Sequence, residues 1–280
     1  MIALGAVPAL ILGIGLFGMP ESPRWLVGRG RVDDARRVLR QLRPTAEADA
    51  ELESIRATVS LRSLGLRGLF QPALRPALVI GVGLALFGQF TGVTTVVYFA
   101  PTTFTAAGFE TGAALVGTFG IGILLLLATI LGVFLVDRVG RRPLLLVGLP
   151  GMAISLAVIG AMYLLPDLSG APALTIVLMT ATYIMFFAVS LGVVAWVVPP
   201  EIFPLAARGA ANGMCTMVLW AGNFTVTLTF LPMVEAFGAA VTFGILAAIT
   251  VIAFVFVVAL VPETKGKSLE QLERDLVMDR

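Results

Sequence analysis

The sequence contains no histidine and only one cysteine, Cys215, in 280 residues. No Cys/His metal site and no disulfide framework can be built from that set. Cys215 stands within an apolar stretch and reads as a small packing residue. Charge is scarce as well: 13% of residues are charged and 58% are hydrophobic, with a mean hydropathy of +0.99. Soluble domains run nearer to about a quarter charged and about half apolar. The 17 acidic residues avoid the interiors of the long apolar stretches, which leaves no central candidate for a proton or ion relay. No acid pair lies in such a stretch, and no serine has a base nearby in a recognisable motif. A membrane enzyme is therefore a poor reading, and no cofactor or metal is expected.

Basic residues are missing from half of the connections. All 19 Lys and Arg residues fall within 20–75, 137–143, 199–209 and 262–280. The alternate connections, near 101–112, 166–172 and 232–239, carry none. Short loops on the cytoplasmic side of a membrane produce this bias. The net charge of +2 thus reflects cytoplasmic loops, and no nucleic-acid partner is expected. A span needs about 20 apolar residues to cross roughly 30 Å of hydrocarbon. The sequence offers seven, near 2–19, 73–99, 113–136, 143–165, 173–198, 210–231 and 240–261. The first could also pass for a signal-peptide core. No basic region precedes it and an arginine-rich segment follows, which favours a retained span. The expectation is an all-α polytopic protein of the lipid bilayer, with its N-terminus outside and its C-terminus in the cytoplasm.

Residues 20–70 form the only long polar stretch. Val32, Ala35, Val38, Leu39 and Leu42 recur at helical intervals and leave the charges on the other face. A second helix is predicted from about Glu47 to Ser60, after the Pro44-Thr45 break. The simpler expectation here is solvated linker helices; the sharper one is a cytoplasmic bundle bracing two membrane halves. An internal echo is more telling. Pro20-Glu21-Ser22-Pro23-Arg24 follows the first span, and Pro262-Glu263-Thr264-Lys265 follows the last. Transporters are often built from repeated bundles, and equivalent helices of two six-helix repeats would end at these points.

The segment Asp137-Arg138-Val139-Gly140-Arg141-Arg142-Pro143 packs three guanidiniums into a tight turn, more than one carboxylate can pair. They need acceptors from neighbouring helix ends. Glu201, Arg208 and Glu263 are predicted at the same membrane surface, as are Glu21 and Arg24. Reversible ion pairs there would act as a latch, holding helices together in one state and rehydrated in the other. The alternative is a purely topological anchor.

At these residues the chain resembles the sugar porter family of the major facilitator superfamily. The matching pieces are PESPRWL (20–26), GQFTGVTTVVYF (88–99), DRVGRRP (137–143), PEIFPLAARG (200–209) and PETKGKSLEQLE (262–273). Such transporters have twelve spans in two six-helix domains. The resemblance aligns this chain with their C-terminal half: residues 1–19 with span six, 20–71 with the central cytoplasmic loop, and 72–262 with the last six spans. Residues 263–280 would be a cytoplasmic tail.

The resemblance implies a sugar bound at mid-membrane, with amides on its hydroxyls and Trp faces against its ring. Gln89 matches the second of a glutamine pair whose first member is Gly88 here, and Thr94 stands for the family asparagine that follows. Tyr98 is kept, and Leu125 replaces an asparagine of the next span. Phe187 and Trp196 match aromatic positions of span ten, with Gly192 at its break; Trp220 and Asn223 match on span eleven, where Leu219 replaces a polar neighbour. The site keeps its aromatic walls and loses about half its amides. Each lost partner for a hydroxyl costs about 1–3 kcal/mol, so a less hydroxylated solute fits better. Expected gate residues are Glu21, Arg24, Asp137, Arg138, Arg141, Arg142, Glu201, Arg208 and Glu263.

The implied function is a secondary transporter, or its C-terminal half, moving a sugar, polyol or related small polar solute by alternating access in the plasma membrane. Symport in the family uses a carboxylate of the first span, which this sequence does not contain. Expected partners are the solute, the bilayer, and either an N-terminal six-helix bundle or a second copy of the chain. The alternative is a non-transporting remnant or solute sensor on the half-fold.

Overall fold

The computed structural model describes residues 2–42, 44–59, 65–106 and 110–266. It divides into two compact units, Met1–Ser63 and Leu64–Arg280.

The first unit begins with the apolar helix α1 (Ile2–Phe17), whose 16 residues are fewer than the 22 of α9 or α13 below. Three polar helices follow: α2 (Pro23–Gly28), α3 (Val32–Leu42) and α4 (Thr45–Val59). They are more than solvated linkers, which corrects the simpler expectation. Leu26, Ala35, Leu39, Ala48, Leu52 and Ile55 are buried together in a core of their own. The helical spacing of small and branched apolar residues on α3 finds a matching face on α4. Arg36 and Arg40 then reach across to Asp49 at 3.3 and 3.1 Å. These exposed pairs add little energy and mainly fix register. Leu52 is 1% exposed, so Leu52→Ala is expected to loosen this core by about 2–5 kcal/mol. Backbone hydrogen exchange across α3 and α4 would report it.

The second unit opens with two short 3₁₀ turns, Leu66–Phe70 and Pro72–Leu74. Helices α5 (Arg75–Phe90), α6 (Val93–Tyr98), α7 (Ala100–Ala106), α8 (Thr111–Val139) and α9 (Arg141–Met162) follow. The unit ends with α10 (Ala171–Val189), α11 (Leu191–Ile202), α12 (Leu205–Phe237) and α13 (Ala239–Leu260). Six segments among the described residues are long and apolar enough to cross a membrane: Pro72–Tyr98, Thr111–Val139, Arg141–Met162, Ala171–Ile202, Ala206–Phe237 and Ala239–Leu260. They match the later six predicted spans in order and to within a few residues at most ends. The bundle is all-α, as the hydropathy pattern requires. Of the expected tail, residues 267–280 lie outside the described residues.

Inside the bundle α9 packs against α10 and α13, and α12 packs against α5. Two of the six segments are interrupted. Between α5 and α6 the chain turns at Gly92, whose φ of +94° favours glycine, and a Cβ there would meet Leu246 Cδ1 at 2.8 Å. In hydrocarbon a carbonyl at such a break must find a partner. The fully buried Tyr183 supplies one, its hydroxyl donating to the Thr91 carbonyl at 2.9 Å. The second break falls at Ser190, between α10 and α11, two residues before the expected Gly192. There the Ser190 hydroxyl donates to the Phe186 carbonyl of the preceding turn, an alternative to continued helix.

Candidate functional site

The two breaks and the middle of α12 border an open-sided cavity of about 250 Å³. Six of the seven residues expected to bind solute line it: Gln89, Thr94, Tyr98, Phe187, Trp196 and Asn223. The interruptions explain the convergence. Gln89 precedes the first break and Thr94 follows it; Phe187 and Trp196 flank the second in the same way. Trp220 is the exception. Leu219 and Asn223, four residues apart, share the face of α12 that meets the cavity. Trp220 is turned by about 100° from Leu219 and stands 59% exposed on an outer face. Leu125, at the other lost amide position, lies outside the cavity lining, half-buried against the core.

Gln89, Thr94 and Asn223 form a closed triangle of hydrogen bonds. The Thr94 hydroxyl donates to Gln89 Oε1 at 2.8 Å. Asn223 Nδ2 donates to Gln89 Oε1 at 3.1 Å and to Thr94 Oγ1 at 2.8 Å. The triangle consumes one oxygen, one hydroxyl and one amide nitrogen. Gln89 Nε2 and Asn223 Oδ1 are absent from the buried atoms without a partner and keep access to space. They provide one donor group and one acceptor. The opposite wall is apolar and aromatic, with Phe187, Leu191, Ala195 and Trp196. Such a wall suits the C–H face of a ring, and the triangle suits hydroxyls.

A second cluster forms at the bundle end where α8, α9, α11 and the segment after α13 meet. Arg141 is 9% exposed; its two terminal guanidinium nitrogens are engaged, while its Nε is buried without a partner. Its guanidinium donates to Glu201 Oε1 at 2.6 Å, to Asp137 Oδ1 at 3.3 Å and to the Val136 carbonyl at 3.0 Å. Thr264 donates its hydroxyl to the other oxygen of Glu201 at 2.6 Å. Glu263 caps the start of α9, accepting the backbone N–H groups of Arg141 and Arg142 at 3.1 Å each and that of Lys265 at 2.8 Å. A carboxylate at a helix N-terminus satisfies orphan donors and meets the positive end of the dipole.

The other expected gate residues are placed differently. Arg142 donates to the Val258 carbonyl at 2.9 Å. The backbone carbonyl of Arg138 accepts from the Lys265 ammonium, while its side chain is exposed. Arg208 makes no ion pair among the described residues and reaches the Phe203 carbonyl at 3.4 Å, freed where Pro204 interrupts the chain. Glu21 and Arg24 belong to the first unit. Sequence reasoning missed Thr264 and Lys265 as participants, although both stand inside the quoted PETKG motif. Gly140 (φ +104°) lets Glu263 approach, because a Cβ there would lie 2.6 Å from Glu263 Oε2. Gly140→Ala therefore combines backbone strain of about 1–3 kcal/mol with a displaced cap. A lowered melting temperature of the purified chain is expected.

Comparison with known proteins decides the family. The family described as "Sugar (and other) transporter" matches residues 1–276. The chain belongs to that family. The metabolite-transport candidate YwtG of Bacillus subtilis (strain 168) is 45% identical over 276 residues, covering 99% of this chain and 60% of that protein. The major myo-inositol transporter IolT of the same organism is 40% identical over 281 residues, covering 98% and 59%. Among solved structures, the major facilitator superfamily proton:xylose symporter XylE bound to 6-bromo-6-deoxy-D-glucose gives a TM-score of 0.79 at 34% identity, covering 98% of this chain and 58% of that one. XylE from E. coli in a partially occluded inward-open conformation gives 0.75 at 33% identity, covering 94% and 54%. The fold of this sugar transporter family member is that of the major facilitator superfamily. The chain spans less than two thirds of the length of the relatives it matches.

Proposed function

We propose that this chain is the solute-binding half of a secondary transporter that moves a sugar or related small polar solute across the plasma membrane by alternating access. The observation that carries it is the convergence of Gln89, Thr94, Tyr98, Phe187, Trp196 and Asn223 on one cavity beside two helix breaks. Discontinuous helices around a central site are the usual construction of such carriers. Residues 72–262 form the transmembrane bundle, residues 20–71 a cytoplasmic helical segment, and the arginine-rich end faces the cytoplasm under the positive-inside bias. The Arg141–Glu201 cluster works there as a latch between helix ends. Tyr98 and Trp196 are 65% and 55% exposed, so one wall of the cavity is open. A second six-helix bundle, N-terminal to this one in a longer chain or supplied by a second copy, closes it.

The test is uptake of labelled hexoses, pentoses and polyols into proteoliposomes holding the purified chain. Saturable uptake is the expected result for a chain that assembles into a working carrier. No uptake by folded, correctly oriented protein, alone or reconstituted with a separately expressed N-terminal bundle, overturns the proposal.

A further inference from the structure

A smaller cavity of about 170 Å³ lies beside the first and shares Ala195, Trp196 and Leu219 with it. Its other lining residues are Ala85, Pro199, Pro200, Asn212, Cys215 and Thr216. All three helices that build it place it on the same side of the central cavity. On α5, Ala85 precedes Gln89 and is nearer Arg75; on α11, Pro199 and Pro200 follow Trp196 and adjoin Glu201. On α12, Thr216 and Asn212 lie about 10 and 16 Å from Asn223 at 1.5 Å per residue, toward Arg208. The smaller cavity thus stands between the central one and the basic end of the bundle.

One polar atom in it is unexplained. Asn212 Oδ1 is buried without a hydrogen-bond partner. A buried carbonyl left unpaired is costly. The rest of the lining is uncharged: a hydroxyl from Thr216, the indole of Trp196 and two proline rings. An acceptor beside flat apolar faces suits a neutral solute that donates a hydroxyl and rests a C–H face on a ring.

We propose that this cavity is a second, weaker binding position for the same hydroxylated solute, occupied between the central site and the basic end. The inference rests on the transport reading above. Asn212 Oδ1 receives a solute hydroxyl there, and Trp196 serves as a common wall for both positions, so a solute passes from one to the other without leaving the indole face.

Cys215 makes the proposal testable, because it is the sole cysteine of the sequence and lines the smaller cavity alone. The full chain in proteoliposomes is treated with methyl methanethiosulfonate, and modification of Cys215 is followed by mass. D-glucose, D-xylose and myo-inositol are the probes. The central cavity is reported separately by Val97→Cys in a Cys215→Ser background, since Val97 lines only that cavity. At least one probe is expected to slow modification at both reporters. Asn212→Leu, which removes an unpartnered polar atom and should fold, is expected to weaken protection of Cys215 about tenfold, equivalent to about 1.4 kcal/mol. It should leave protection at Val97→Cys in place. Gln89→Ala should do the reverse. Protection of the central reporter without protection of Cys215 overturns the second position and spares the transport reading. Protection of Cys215 that survives Asn212→Leu, or that vanishes with Gln89→Ala, also overturns it. Failure at the central reporter alone overturns the central site instead.

Discussion

Arg141→Ala is expected to abolish solute uptake while leaving the chain in the membrane. The side chain is 11% exposed and its strongest contact is Glu201 at 2.6 Å, itself 30% exposed. Removing one member of a buried pair leaves the other uncompensated, at a cost of about 3–5 kcal/mol. Glu201 retains the Thr264 hydroxyl and some solvent, so the lower end applies. A loss of about 3 kcal/mol from the state in which these helix ends are held together lowers its population about 100-fold. Asp137 and the Val136 carbonyl lose their donor as well. Uptake into proteoliposomes and extraction from membranes measure the two halves of this expectation. A double-mutant cycle with Glu201→Gln should give a coupling energy of about 0.5–3 kcal/mol. Unchanged uptake by Arg141→Ala would show that the cluster is an anchor and not a latch.

The combined variant Gln89→Ala, Trp196→Ala is expected to remove solute-dependent thermal stabilisation completely. A ligand present at 100 times its dissociation constant stabilises the folded protein by about 2.7 kcal/mol. That shift requires a solute that binds the folded cavity alone. Gln89 holds the triangle together by accepting from both Thr94 and Asn223, and it also offers its own amide nitrogen. Its loss frees two donors and deletes a third, while Trp196→Ala removes the larger of the two aromatic rings in the wall opposite. Melting curves with and without D-glucose, D-xylose or myo-inositol provide the reading. A shift retained in the double variant places solute binding elsewhere in the chain.

Much of the bundle was legible in the sequence because apolar length and loop charge obey the bilayer directly. The two interruptions were harder to locate. Gly92 is one glycine among 30, and its φ of +94° and the packing of Leu246 against it show only in the folded chain. The break at Ser190 uses a side-chain hydroxyl that hydropathy does not register. Trp220 was legible as an aromatic at a matching position, yet its direction follows from the rotation of α12, which a single sequence does not fix. Arg208 shows the same limit at the basic end, since its acceptor is a backbone carbonyl exposed by a neighbouring proline. In the polar stretch at 20–70, periodicity gave α3 and the Pro44-Thr45 break gave α4, while α2 went unpredicted. Its separate core depends on which faces of α3 and α4 meet, a matter of packing between elements.

The triangle of Gln89, Thr94 and Asn223 bears on the half of a transport cycle in which nothing is carried. Polar groups that wait for a ligand must keep water or stand orphaned when the cavity closes empty. Here three of those groups already satisfy one another, and within the triangle only the Gln89 nitrogen and the Asn223 oxygen remain to be hydrated. A carrier of the proposed kind built on this cavity would reset unloaded at little extra cost. Net uptake should then run nearly as fast as homo-exchange, a ratio that preloaded proteoliposomes measure directly.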